Sequence, residues 1–498
     1  MSASICTDCL ARLRITKHPL TFTSLTKTHA SPFHSSPAQY KSPLLKKKVM
    51  DPNKTVASRR ATGVRLKKKV RQKINIPAVG ERRAARKRIV LSNTNALEVY
   101  GMETLSVETI GQEESLGRMM AFPGELLDQL RDSQAFKTTQ NWNLFRRPAT
   151  MIRSETLDIA KNVEEVDKRE GKNVKYLVTG ERGSGKSILM LQAMSMAFMK
   201  KWVVLSIPEG HEFTNNTSFY APVRKTSPSS QDENSLPGEQ LYNQSHLAQA
   251  LLTRAANANQ MVLSTLKLNH LEQHLQDYPK LRIKPKATMR DIALLGAQDA
   301  TNAVSAWKVF WKELNTAGNN PRPPVLVAVD GVDHWFGLTK YRNADYNLIH
   351  AQQFTLIKQL TDLFFSLPKT PSPLLNGGLL LYTTSGSNSP KFPSFEALIE
   401  QIQATERGVN PKSPEFPLQD PYSKPDVRVT SLVSRAGGIS LLDVNGTSQF
   451  ESRGILDYFA RSGLLQKPLS EQLVSDFRQL SAGGIIGELA KLGARVKA

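Results

Sequence analysis

The octapeptide Gly180-Glu-Arg-Gly-Ser-Gly-Lys-Ser187 restricts this chain more than any other stretch, because it matches G-x-x-x-x-G-K-[ST] in full. Gly183 and Gly185 let the backbone bend until successive N–H groups point into one concavity, which suits a phosphate. A helix opening near Lys186 adds the positive end of its dipole to that concavity. The motif needs a strand before it and a helix after it. Val174–Val178 reads as the strand, and Leu191, Met194 and Phe198 give the helix an apolar stripe. In that setting Gly180, Glu181, Arg182, Gly183, Ser184, Gly185, Lys186, Ser187 and Ile188 form the expected nucleotide-binding stretch. Lys186 is expected to reach the β/γ phosphates, and Ser187 to offer its hydroxyl to Mg²⁺.

A metal at such a loop needs a carboxylate from the end of a buried parallel strand. Pro324-Val-Leu-Val-Ala-Val-Asp330 is near-continuously apolar and ends in acid, so Asp330 is the expected partner of Ser187 at the metal. Trp202–Ile207 and Leu379–Thr384 read as further strands of the same sheet. In P-loop proteins with an extra strand between the two motifs, a polar residue there senses the γ-phosphate, and Thr384 or Ser385 is the candidate. Hydrolysis also needs a group that polarises the attacking water, usually a Glu directly after the metal Asp. Gly331 stands in that place. Asp333 is the one candidate for a catalytic role, and neither Arg407 nor Arg478 can be placed as an arginine finger from sequence. The site therefore reads as built to bind rather than to turn over. No N-K-x-D string follows the later strands, so guanine recognition of the small-GTPase kind is absent.

Around this core the chain divides by composition. Val304, Trp307, Trp311 and Leu314 share one helical face, and Thr288-Met-Arg-Asp291 reads as a helix start. Asn215–Gln240 and Gly408–Pro425 read as surface insertions or linkers. Ile455–Leu465, Leu473/Phe477 and Ile485/Leu489/Leu492 suggest a small helical C-terminal domain. The expected order is a presequence at 1–45, a basic extension at 46–115, the P-loop core at 116–400, and a linker with C-terminal helices at 401–498. No run approaches the roughly 18 apolar residues of a membrane span.

The net charge of +22 is not spread evenly: residues 1–90 hold 22 Lys+Arg against three acids, leaving the remaining 408 residues at +3. Residues 1–50 are basic, rich in Ser and Thr and almost free of acid, the profile of an organellar transit peptide; a disordered tail is the bland alternative. Cys6 and Cys9, the only cysteines, make half a zinc site at most, and their pairing reads as chance. Beyond them Arg59, Arg60, Arg65, Lys67, Lys68, Lys69, Arg71 and Lys73, then Arg82, Arg83, Arg86, Lys87 and Arg88, form two clusters. Against phosphates each cation displaces a condensed counterion, so these residues are the candidates for contacting RNA backbone without reading sequence. A solvated linker or a nuclear localisation signal are the alternatives.

The linked strings GERGSGKS, VVLSIPEGHEF, QALLTRAANANQMVLSTLKL, PPVLVAVDGVDHWFG and GGLLLYTTSGS carry a resemblance. With Asn143-Leu-Phe-Arg-Arg-Pro148 upstream and YFARSGLL…LSAGGIIGEL at the end, residues 115–498 resemble the mitochondrial small-ribosomal-subunit P-loop family, whose animal members are called death-associated protein. The resemblance implies an α/β, AAA-like P-loop core, a parallel sheet flanked by helices, in the head of the mitochondrial small subunit near the subunit interface. It implies a bound guanine nucleotide, GTP or GDP with Mg, ATP being the other possible occupant. Expected partners are small-subunit rRNA, other mitochondrial ribosomal proteins and the large subunit, in the matrix. The expected function is thus a structural ribosomal component with weak or no NTP hydrolysis. The alternative is an active AAA-like NTPase serving as an assembly or signalling switch.

Overall fold

The computed structural model describes residues 89–168, 171–223, 239–316, 320–366, 374–387 and 390–495, all within the compact unit Ile76–Ala498. The expected presequence, Cys6 and Cys9, and the basic clusters from Arg59 to Arg88 lie outside the described residues.

Five apolar, β-branched runs join one parallel sheet: β1 (Asn173–Thr179), β2 (Val203–Ile207), β3 (Val325–Asp330), β4 (Gly378–Thr383) and β5 (Ile439–Asp443). Their spatial order is β5-β1-β4-β3-β2. A parallel strand carries apolar residues on both faces because helices must cover both. Here alternate residues separate cleanly. Val325, Val327 and Val329 join one core with Leu380 and Tyr382, while Leu326 and Ala328 join the other with Leu379 and Leu381.

The second face is covered by α1 (Gly124–Asp132), α2 (Ser154–Lys168) and α3 (Lys186–Met199), through Leu130, Ile159, Val163 and Leu191. Helix α3 is buried almost all round, wider than the stripe of Leu191, Met194 and Phe198 implies, because α1 and α2 close over its outer side. The first face carries α4 (Ser245–Ala258), α5 (Met289–Gln298), α6 (Ala300–Leu314), α7 (Thr355–Phe364) and α8 (Pro393–Glu406). Thr288 and Asp291 form the reciprocal capping box that opens α5. Trp307 is buried on α6 while Trp311 is only partly so.

Three helices follow β5: α9 (Gln449–Arg461), α10 (Glu471–Leu480) and α11 (Ile486–Arg495). Leu456, Phe459, Val474, Phe477 and Leu489 pack into a third core shared with Phe145, Ala149 and Met151. No helix among the described residues is long and apolar enough to cross a membrane.

Two expected boundaries move. Strand β5 falls inside 401–498, the stretch expected to be linker and helices, so the sheet runs past residue 400. Its run ISLLD is short and half-buried at a sheet edge, which weakens its apolar signal. At the other end Leu91, Leu105 and Ile110 are buried in the second core, so residues 89–115 belong to the packed body rather than to a basic extension.

Candidate nucleotide-binding site

The loop between β1 and α3 turns through Gly180 (φ +134), Gly183 (φ +84) and Gly185 (φ +112), a left-handed path that side chains with a Cβ rarely follow. At Gly180 the space is closed as well, since a Cβ there would stand 2.4 Å from the Val444 carbonyl. The turn ends at the first residue of α3, so the free N–H groups of that helix face the loop's hollow. A cavity of about 580 Å³ opens there, lined among others by Gly183, Gly185, Lys186, Ser187, Asp330 and Thr384.

Sheet order decides what meets across this hollow. Strand β4 lies between β1 and β3 and pairs Thr383 with Asp330 in register. Asp330 is buried, and each of its oxygens is engaged. Oδ2 accepts the Ser187 hydroxyl at 2.6 Å and is ion-paired with Lys137, while Oδ1 accepts the Thr383 hydroxyl at 2.6 Å. Ser187 and Asp330, expected partners 143 residues apart, are thus in direct contact.

Lys186 is 7% exposed, and its ammonium donates to the carbonyls of Gly180 (2.6 Å) and Glu181 (2.8 Å). Burial pushes it below its ordinary value, while Asp330, Asp333, Asp443 and Glu181 pull it back up. The other expected residues divide. Arg182 and Ile188 line the cavity with Gly183, Gly185, Lys186 and Ser187; Gly180, Glu181 and Ser184 shape the turn without reaching its wall. Ser385 lines it beside Thr384. The Thr384 hydroxyl, however, donates back to the Val178 carbonyl at 3.3 Å. Asp333 is buried, accepts the Ser385 N–H on Oδ1 at 2.8 Å, and is not on the cavity wall.

Several residues at or behind the cavity wall escaped sequence reading. Thr383 sits one position before the nominated pair, and only strand register reveals that it is the hydroxyl on Asp330. Arg153 donates to the Ser184 carbonyl at 3.1 Å and the Asn445 carbonyl at 3.0 Å, and pairs with Glu155 and Glu451. One buried guanidinium therefore ties the loop to the C-terminal segment. Gly210 lies against the Asp330–Gly331 turn so closely that a Cβ would meet the Gly331 oxygen at 2.3 Å. His334 shares the wall with His211, their rings 4.9 Å apart. Burial holds His334 below its ordinary value; Asp333 opposes this, and His211 and Lys340 add to it.

The cavity is also lined by apolar and aromatic side chains, Trp142, Phe145, Met151, Ile455, Tyr458 and Ile486. One hollow therefore offers both a cationic, N–H-rich loop suited to phosphates and apolar surface suited to a ring. Among the described residues no group of three or more His, Cys, Asp or Glu converges on a metal position. At the head of α3, Ser187 and Asp330 present hard oxygens, the donor type that magnesium takes together with a ligand's phosphates.

Residues 150–492, which include the whole loop, the sheet and most of the C-terminal helices, match the family described as mitochondrial ribosomal death-associated protein 3. The chain belongs to that family. Family members with curated names agree across fungi and animals. The small ribosomal subunit protein mS29 of Neurospora crassa is 37% identical over 416 residues, covering 83% of this chain and 82% of that one. Its Schizosaccharomyces pombe namesake is 24% identical over 383 residues, covering 76% and 72%. The Mus musculus protein of the same name is 25% identical over 252 residues, covering 51% and 59%.

Proposed function

We propose that this chain is a built-in protein of the mitochondrial small ribosomal subunit, working in the matrix, and that its pocket holds a guanine nucleotide as a structural ligand. The family and the names of its fungal and animal members support the ribosomal part. The concentration of charge before residue 90 supports rRNA as partner, with Arg59 to Arg88 on the phosphate backbone. Neighbouring ribosomal proteins are the other partners, and the large subunit meets the chain across the interface.

The observation that carries the nucleotide reading is the Ser187–Asp330–Thr383 chain of contacts beside Lys186 at the head of α3. Phosphates rest on the loop N–H groups and Lys186, GTP or GDP being preferred to ATP. Ser187 and Asp330 are the residues that would hold an accompanying Mg²⁺, which supplies charge neutralisation to the phosphates when bound.

The core is AAA-like, a P-loop NTPase sheet order put to holding rather than spending. Gly331 occupies the usual place of the catalytic Glu, and Asp333 is engaged with the Ser385 N–H. A ligand that binds only the folded state stabilises it by mass action, about 2.7 kcal/mol at a hundredfold excess over Kd, without turnover.

Sedimentation of a C-terminally tagged chain from mitochondrial lysate tests the ribosomal reading. Stoichiometric migration with small-subunit rRNA that survives high salt is expected; a free or salt-labile chain overturns it. Nucleotide extracted from that fraction is expected to be guanine at one per chain. Multiple turnovers by the purified chain, abolished by Asp333→Ala, would instead establish the active-switch alternative.

A further inference from the structure

Lys137 lies outside the loop, the sheet and every motif legible in the sequence, yet its ammonium is ion-paired with Oδ2 of Asp330. That is the oxygen that also accepts the Ser187 hydroxyl. The Asp330 carboxylate is only 7% exposed, so its charge has to be met by its neighbours rather than by water. Thr383 and Ser187 donate hydrogen bonds without a formal charge; Lys137 is the group in contact that brings one.

The segment carrying Lys137 is anchored. Its backbone N–H donates to Oε1 of Gln140 at 2.8 Å, and that oxygen also accepts the indole N–H of Trp142 at 2.7 Å. Trp142 is buried edge-on against Phe122 and Phe136. The lysine is therefore delivered to Asp330 from a packed aromatic cluster, and it lines the same cavity as Lys186.

We propose that Lys137 is the resident cation of Asp330, and that it makes retention of a nucleotide in this pocket independent of a divalent metal. The inference rests on the nucleotide reading and deepens it. An ammonium carries three donors, enough to contact Asp330, and a phosphate oxygen brought beside it, together. Magnesium dehydrates reluctantly and needs a near-octahedral oxygen shell. To reach Asp330 it must displace the Lys137 ammonium and then stand close to both lysines. What the metal gains from the phosphates it loses in releasing this ion pair, so its net effect on affinity is small.

The test is titration of the full-length chain with a fluorescent GDP, in excess magnesium and in excess EDTA, for the wild type, Lys137→Met and Lys137→Arg. Circular dichroism checks that each variant is folded. The wild type and Lys137→Arg are expected to change affinity less than about threefold on chelation. Lys137→Met is expected to lose about tenfold or more in EDTA, equal to ~1.4 kcal/mol, and to recover with magnesium. A wild type that loses tenfold in EDTA overturns the inference whatever the variants do, as does a folded Lys137→Met that tolerates EDTA equally well. Magnesium-dependent binding by all three proteins would remove this inference and leave the nucleotide reading intact. Binding of neither fluorescent GDP nor fluorescent ADP under any condition would remove both.

Discussion

The backbone N–H of Gly487 donates to the carbonyl of Gly183 at 2.9 Å, joining the first turn of α11 to the apex of the phosphate loop. A Cβ on Gly487 would stand 3.2 Å from the Gly183 Cα, so a side chain there would press the two backbones apart. Ile486 supports the contact, its Cδ1 lying 3.2 Å from where a Cβ on Gly185 would be. The C-terminal helices therefore form one wall of the cavity. Docking of α11 and the shape of the loop are a single arrangement.

Gly487→Val tests that coupling. Overpacking at a close backbone contact costs about 1–3 kcal/mol. The variant is expected to melt earlier and to bind fluorescent GDP more weakly, since α11 must shift off the loop. Unchanged melting and affinity would mean that the contact is incidental.

Lys186→Ala removes the ammonium that donates to the Gly180 and Glu181 carbonyls beside the loop's hollow. Charge-assisted bonds of this kind are worth about 1.5–3 kcal/mol each. GDP affinity is expected to fall at least about tenfold, with weaker incorporation into the small subunit. Normal incorporation with an empty pocket would show that the nucleotide has no structural role.

Thr383→Val keeps the strand shape and deletes the hydroxyl on Oδ1 of Asp330. A buried carboxylate that loses a donor costs about 1–3 kcal/mol, readable as a lower urea midpoint. Ser385→Ala is the control, because that half-buried hydroxyl bonds only within its own loop, donating to the Ser387 carbonyl at 2.8 Å and accepting the Ser387 N–H at 3.2 Å. Equal effects from the two would deny Thr383 its place at the site.

Glu313 marks a separate region of strain under acid. It is buried, and burial favours its neutral form, but the N–H groups of Asn269 and His270, then His274 and Arg322, outweigh this and hold it below the usual 4.5. A depressed carboxylate contributes stability that is present above its unfolded value and lost as pH falls through the folded one. Stability is therefore expected to decline below pH 4.5, and Glu313→Gln to flatten that limb. At neutral pH the substitution leaves the buried Arg322 without its counter-charge, a loss of about 3–5 kcal/mol. An acid limb unchanged in Glu313→Gln would assign the transition to other carboxylates.

Much of the site was readable because its physics is local. A glycine-rich turn between a strand and a helix needs only neighbouring residues, so the strand–loop–helix path from Gly180 to Ile188 was legible, though not which of its residues reach the cavity wall. Asp330 was readable as the acidic end of an apolar run, and its meeting with Ser187 follows from the sheet. Thr384 and Ser385, the sensor candidates, line the cavity, but nothing in the sequence shows that the neighbouring Thr383 is the hydroxyl on Asp330, because which hydroxyl faces a neighbour depends on register, and register is a property of two strands. The Asp330-Gly331 turn gave no hint that Gly210 would press against it.

By itself the amino-acid order determined the loop, the apolar strands, the helical ends and the separation of a basic arm from a near-neutral body. Each depends on spacing along the chain or on summed charge. Tertiary structure alone decided that Lys137, 193 residues from Asp330, supplies a cation to it, and that Arg153 links Ser184 to Asn445. It likewise brought Gly487 onto Gly183 and drew Ile439–Asp443 into the sheet edge. These contacts join segments with no periodic or compositional relation to one another. They arise only once both faces of the sheet are covered and the C-terminal helices have closed over the loop.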